Sequence, residues 1–314
     1  AALLAGLFVI NPVVILNSSL WGQVDSVLTL FCLMSIYFIA EKRYGASFYS
    51  FAAAFLIKPQ AVFFAPVIIF ALIEDIFLQD GYKKDKLIDV IKKAAIAIAG
   101  MFILFMPFGR NPIHGISVII SQYIETMGQY NYLTVNAFNL YGAIGGNWTA
   151  LSPVMSIFGY LMIACVVAFA GIVFFRSNSP QKYYISAFII VFGVFMLSVK
   201  MHERYAFPAI AMLLMVLVSA PTTKNFIGYA LFSMSQFFNI AWILFIYEQN
   251  PGAHFKSATV TVASLLNIIL FGWMIYEYYN STKNSETPKK KINVNKTEKS
   301  SGKFKFQLSE KATK

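Results

Sequence analysis

The chain has 314 residues, 58% of them hydrophobic and only 12% charged, and its mean hydropathy is strongly positive, which excludes an ordinary soluble domain of this length. The formal charge of +11 does not point to nucleic acid, because ten of the 25 Lys and Arg residues lie between Lys283 and Lys314 and most of the others in short connections. The charge is topological, and the expected partner is a lipid bilayer.

The first residues, Ala1-Ala2-Leu3-Leu4, carry neither Met nor a basic leader and read as the middle of a helix in an N-terminally truncated fragment. Apolar runs follow over roughly residues 1–16, 24–40, 46–57, 60–78, 94–109, 151–175, 183–199, 206–220, 226–247 and 257–279. They predict about ten membrane segments. Helices are required, because lipid cannot satisfy the backbone groups of an open sheet edge. The third run is short for a crossing of about twenty residues and is expected as a broken or tilted element ending at Pro59. The expected fold class is therefore all-α: a polytopic transmembrane helical bundle over residues 1–280, then a basic disordered cytoplasmic tail over 281–314 that lacks the large apolar residues needed for a core.

Short cytoplasmic connections carry the Lys and Arg excess. Alternate connections hold Lys42 and Arg43; Lys83, Lys84, Lys86, Lys92 and Lys93; Arg176 and Lys182; Lys224; and the tail, which together account for 20 basic residues. The opposite face holds only Lys58, Arg110, Lys200, Arg204 and Lys256. This places the protein in a cell membrane as a multi-pass chain with its tail cytoplasmic.

Four polar clusters then fall on the non-cytoplasmic face: Trp21-Gly22-Gln23-Val24-Asp25, Lys58-Pro59-Gln60, Asn136-Ala137-Phe138-Asn139 and His202-Glu203-Arg204-Tyr205. Ionisable groups at membrane depth are costly and are placed mainly where function requires them. The first cluster follows Asn11-Pro12 and the polar run Asn17-Ser18-Ser19. Asp25 can cap the following helix, but Trp21 and Gln23 go unexplained by that role, and an aromatic ring beside amide and carboxylate groups suits a sugar. Lys58 can snorkel to the headgroups or pair with a lipid phosphate. The stretch from Arg110 to Trp148 contains Ile116, Ile119, Ile120, Tyr123 and Ile124 at helical spacing, which predicts an amphipathic helix on the outer interface. Asn136 and Asn139 would share a face if that stretch were helical, and Gly142, Gly145 and Gly146 would supply flexibility.

The fourth cluster has Lys200 before it and Pro208 after it. Its plain reading is an interfacial anchor with an internal Glu203–Arg204 pair. Its functional reading is that Arg204 and Lys200 hold an anionic group by forked hydrogen bonds, while His202 and Glu203 orient or exchange protons with a substrate. Cys32 and Cys165 lie in apolar runs as small hydrophobes, and His114 and His254 are isolated in outer connections. No phosphate loop, zinc spacing or Ser-His-Asp arrangement is present in the sequence.

These clusters, in this order, resemble the GT-C superfamily of lipid-phosphate-sugar dependent glycosyltransferases. The closest likeness is to bacterial and archaeal proteins related to the second mannosyltransferase of GPI-anchor assembly. It is carried by Asn11-Pro12 through Ser26, by Lys58-Pro59-Gln60 with Ala65-Pro66, by Asn136 through Gly142, and by Met201-His202-Glu203-Arg204-Tyr205 with Pro208. It covers about residues 7–215.

The resemblance implies a polyprenyl-phosphate hexose donor, mannose favoured, and transfer with inversion to a hydroxyl of a lipid, glycan or protein acceptor on the non-cytoplasmic face. It implies that Arg204, Lys200 and Lys58 bind the donor phosphate and that His202 assists. Trp21, Gln23, Gln60, Asn136, Asn139 and Tyr205 would shape the sugar or acceptor pocket. Asp25 and Glu203 are the available carboxylates, although in this superfamily the principal base lies in an outer loop before the matched region. No metal or other cofactor is expected. The rival class is a membrane transporter or lipid flippase, which would place its site near the midplane between repeated halves; convergence of Asp25, Lys58 and Arg204 on one cavity argues for transfer chemistry instead.

Overall fold

A computed structural model describes residues 2–79, 81–247 and 257–283; His254, Lys256 and most of the basic tail lie outside them. The described chain is almost wholly helical. In order it forms α1 (Ala2–Val9), α2 (Pro12–Val14) running into a π turn (Ile15–Leu20), α3 (Asp25–Ala40) and α4 (Tyr44–Ile57). A 3-10 turn (Pro59–Phe64) then leads into α5 (Ala65–Ile73) and a second π turn (Glu74–Leu78). Next come α6 (Lys84–Phe105), a 3-10 turn (Met106–Phe108), α7 (Pro112–Gln129), β1 (Thr134–Val135), α8 (Leu140–Ala143), α9 (Pro153–Arg176), α10 (Lys182–Leu197) and β2 (Met201–His202). The last helices are α11 (Ala209–Ser219), α12 (Thr223–Trp242) and α13 (Ala258–Lys283).

Local sequence explains several starts. Asn11, Asn111 and Ser152 each cap a helix whose next residue is Pro: their side chains accept from the backbone N–H of Val13, His114 and Met155. The proline has no N–H to orphan at that position, and its φ is already helical. Asp25 opens α3 with an acid in the first turn.

Among the described residues, four helices are long and apolar enough to cross a bilayer: Pro59–Leu78, Pro153–Arg176, Thr223–Ile246 and Ala258–Thr282. They support an all-helical, membrane-type chain, while ten helices of full spanning length are not seen among the described residues. Asp25–Ala40, Tyr44–Ile57, Lys182–Leu197 and Ala209–Ser219 are apolar but shorter, and about twenty residues are needed to cross hydrocarbon. The run expected over residues 94–109 belongs to α6, which begins at Lys84 among lysines and aspartates and so is amphipathic rather than uniformly apolar. The short third run is α4, which ends in extended backbone at Lys58 just before Pro59, as the proline requires.

The core forms around α10, which packs against α9 and α11 and is buried along almost its whole length. Phe188 and Phe192 meet Phe232 of α12 edge to face, and Phe192 meets Phe271 of α13 in the same way. Its burial on nearly every side makes α10 the central helix.

Ionic groups gather at the two ends of this core. At one end Asp75 takes Lys42 at 2.8 Å together with Lys86 and the Tyr44 hydroxyl, while Glu74 takes Lys182 at 2.5 Å. At the other end stand Asp25, Lys58 and Arg204. The 16 residues of α3 separate the two clusters by about 24 Å.

The amphipathic helix expected after Arg110 is α7, anchored by Tyr123, whose ring meets Phe55 and Phe105. Its approach to α6 depends on glycine. A Cβ on Gly109 would lie 2.2 Å from the Gly115 backbone nitrogen. Gly109→Ala is expected to lower stability by about 1–3 kcal/mol through overpacking, read as a fall in the thermal unfolding midpoint, with α7 released first to limited proteolysis.

Candidate functional site

The first polar cluster is built by backbone geometry. The π turn ends at Leu20, Gly22 reverses the chain with φ +68°, and the Gln23 N–H returns to the Asn17 carbonyl at 3.0 Å. Glycine suits that reversal because the left-handed region is open to it without steric cost. The fold brings Asn17 against Asp25, eight residues on: Asn17 Nδ2 donates to Asp25 Oδ2 at 3.1 Å, and both residues are fully buried.

Two cations from distant segments complete the site. Lys58 Nζ, at the break between α4 and the 3-10 turn, pairs with Asp25 Oδ1, and Arg204 Nε lies 3.9 Å from Asp25 Oδ2. Arg204 Nη1 also donates to Glu203 Oε1 at 2.8 Å, and its guanidinium lies 5.0 Å from the centroid of the Trp21 ring. The carboxylates are sealed, with Asp25 at 0% and Glu203 at 4% side-chain exposure, whereas Lys58 and Arg204 keep 22% and 23%. The cations therefore face the opening. Lys58 is paired with the buried Asp25 carboxylate.

The internal Glu203–Arg204 pair of the plain reading is present. A simple anchor, however, would not bury Glu203 or tie Arg204 to α3.

The third cluster reaches the fourth through strand pairing rather than through a shared helix face. Thr134 pairs with Met201 and Val135 with His202 in parallel register, Asn136 bridges back to His202, and the Lys200 N–H donates to the Leu133 carbonyl at 3.0 Å. Asn136 is not helical: its φ is +60°. Its Oδ1 accepts from Trp148 Nε1 at 2.8 Å and from Asn147 Nδ2 at 3.3 Å. Lys200 and Trp148 also hold positive φ, at +61° and +57°. Non-glycine residues seldom adopt that conformation and cluster where surrounding structure over-determines it.

Asn139 points elsewhere. Its Oδ1 caps α8 at Tyr141 and Gly142, and its Nδ2 donates to the Phe195 carbonyl, so its polar atoms are committed to the scaffold. Gly142 is likewise packed rather than flexible, since a Cβ there would lie 2.7 Å from Ser264 Oγ. Gln23 joins the site through its backbone; Gln60 places a buried Nε2 without a hydrogen-bond partner two residues beyond Lys58. Tyr205 lies against His202, ring centroids 4.9 Å apart, with Tyr130 on the imidazole at 4.7 Å.

With this geometry in view, comparison with known proteins adds nothing. No family model matches the chain, and no curated protein matches it.

Residues not expected from sequence hold the connection between α7 and α9 in place. Asn239 of α12 donates to the Asn136 carbonyl at 2.8 Å and accepts from the Phe138 N–H at 3.0 Å, and Asn267 of α13 donates to the Phe138 carbonyl at 2.8 Å. The signal available was an asparagine inside each of two apolar runs. Such residues pair across helices when buried. Among the described residues, no group of three or more His, Cys, Asp and Glu side chains could hold a metal ion. His114 is exposed, and Cys32 is buried while Cys165 is exposed.

Burial pushes the His202 imidazole down to about 4, with Arg204 and then Lys58 adding repulsion to its charged form. It is therefore neutral near pH 7. Burial pushes the Glu203 carboxyl up from its ordinary value, with Arg204 acting the other way.

The two residues have opposite linkage to folding. Unfolded His202 takes up a proton below about pH 6.5 while the folded residue does not, so stability falls as pH drops from there toward 4. Folded Glu203 holds its proton more tightly than the unfolded chain, so its contribution is largest at low pH and is lost as pH rises through its raised value. A His202→Gln variant is expected to show a flatter acid limb in thermal unfolding between pH 6.5 and 4, and imidazole resonances of the parent should still report the neutral form at pH 5.

Proposed function

We propose that this protein is a membrane glycosyltransferase of the GT-C type, transferring a hexose, mannose favoured, from a polyprenyl-phosphate donor to an acceptor hydroxyl on the non-cytoplasmic face. The observation that carries the reading is the meeting of Asp25, Lys58, Glu203 and Arg204, from three distant segments, in one partly open cluster beside Trp21. The basic connections at residues 42–43, 83–93 and 176–182 belong to the other end of the same helices, so the positive-inside rule puts the cluster outside.

Charge supports the donor class: Lys58 and Arg204 keep 22% and 23% of their side chains exposed and can offer charged donors to an anionic lipid phosphate. In the transfer step an acceptor oxygen bonds to the anomeric carbon, the bond from that carbon to the phosphate oxygen breaks, and the lipid phosphate leaves with the electron pair. The acceptor's proton passes to a carboxylate. Arg204 and Lys200 stabilise the charge growing on the phosphate, and Asp25 holds Lys58 and Arg204 in place. Trp21 and Tyr205 offer apolar ring surface at the opening.

The test is incubation of membranes containing the protein with labelled polyprenyl-phosphate hexose. Label is expected in a glycosylated product, formed only when donor is supplied from the non-cytoplasmic side. Label moved across liposomes by purified protein, with no product formed, overturns the reading in favour of transport.

A further inference from the structure

Two buried polar atoms beside Asp25 have no hydrogen-bond partner: Asn17 Oδ1 and Arg204 Nε. Both groups flank the same carboxylate oxygen, Asp25 Oδ2, with Asn17 Nδ2 at 3.1 Å and Arg204 Nε at 3.9 Å. Asn17 is fully buried within the π turn Ile15–Leu20, and its amide orientation is set because Nδ2 is the end that donates to the carboxylate. A buried polar atom left unpaired costs about 1–3 kcal/mol, so a native structure keeps one where something else satisfies it.

We infer that Asn17 is a ligand-binding residue of this site, its Oδ1 accepting a hydrogen bond from a hydroxyl of the bound ligand. The chemistry of the two orphan atoms selects that group. Oδ1 needs a donor, which a phosphodiester lacks. A cationic donor is disfavoured because Lys58 and Arg204 already stand at the site. A hydroxyl has one donor and two acceptor lone pairs, so a single hydroxyl can donate to Asn17 Oδ1 and accept from Arg204 Nε–H. An amide N–H can do only the first. The inference rests on the reading of the cluster as a sugar-transfer site, and it assigns Asn17 to the sugar or acceptor hydroxyl rather than to the phosphate. Arg204 then spans both, with Nε on the hydroxyl and the guanidinium N–H groups not held by Glu203 toward the anion.

The experiment is a cycle between protein and ligand. Binding of a polyprenyl-phosphate hexose, and of analogues each lacking one ring hydroxyl, is measured on the purified full chain in nanodiscs, together with polyprenyl phosphate alone and, as a candidate acceptor, a short hexose glycoside. For the wild-type protein one deoxy compound is expected to bind about five- to tenfold more weakly than its parent, the value of one hydrogen bond. In Asn17→Ala that factor should fall to about one, each deoxy compound being compared with the parent on the same variant, because the substitution also removes the Nδ2 bond to Asp25. Asn17→Ser, which keeps a smaller polar group, serves where the alanine variant is not monodisperse. Deoxy compounds that lose the same factor on variant and wild type overturn the inference and leave the donor reading standing. A wild-type protein that binds none of these lipids overturns both.

Discussion

Lys58→Met is expected to destabilise the protein by about 3–5 kcal/mol, because it strips the closest cation from a carboxylate with no solvent exposure. Asn17 donates one hydrogen bond to Asp25, and Arg204 Nε stays 3.9 Å away; neither replaces a direct ammonium contact. The remaining options are to bury a poorly compensated charge or to protonate it. The double variant Asp25→Leu, Lys58→Met removes both charges and should recover most of that loss, since a buried pair replaced by apolar residues is often near neutral in stability. Thermal or denaturant unfolding of both single variants and the double variant gives the coupling directly. Equal destabilisation of single and double variants would refute the ion pair as the organising contact of this site.

Arg204→Ala is expected to reduce hexose transfer by about a hundredfold or more, the scale seen when a preorganised donor to developing charge is removed, and also to lower thermal stability, because the buried Glu203 carboxyl loses its Arg204 contact. Arg204 differs from Lys58 in position: it touches Asp25, Glu203 and the Trp21 ring while keeping 23% of its side chain open to the outside. Its loss leaves Asp25 paired to Lys58. Arg204→Lys should recover little, because an ammonium cannot place a forked pair of donors. Transfer rates in membranes and donor binding by the purified protein separate the two effects; wild-type rates in Arg204→Ala would remove this side chain from the chemistry.

The stretch from Arg110 to Trp148 shows how far local pattern reaches. Helical spacing of Ile116, Ile120 and Ile124 was enough to place α7, because a helix face depends on residues three and four apart. The same logic failed at Asn136 and Asn139. They are three apart, but the chain there is extended and left-handed at Asn136, and its conformation is dictated by Asn147 and Trp148 within the loop and by Asn239 and Asn267 on α12 and α13. Interactions spanning more than a hundred residues leave no periodic trace.

The length of a crossing was partly legible in the same way. Apolar runs gave the position of nearly every helix, but a run does not say where a helix is capped. The caps at Asn111 and Ser152, the extended break at Lys58 and the lysine-rich start of α6 decided which helices reach spanning length.

Composition and periodicity by themselves determined that this is a helical, membrane-type chain, because hydrophobic burial and backbone hydrogen bonding act over neighbouring residues. The tertiary structure alone decided which breaks meet. Asp25 finds Lys58 and Arg204, and Asn17 presents one end of its amide to that carboxylate while the other stays free. A buried charge must be neutralised by whatever the packing of distant helices brings within reach, and that partner is fixed by the three-dimensional path of the chain.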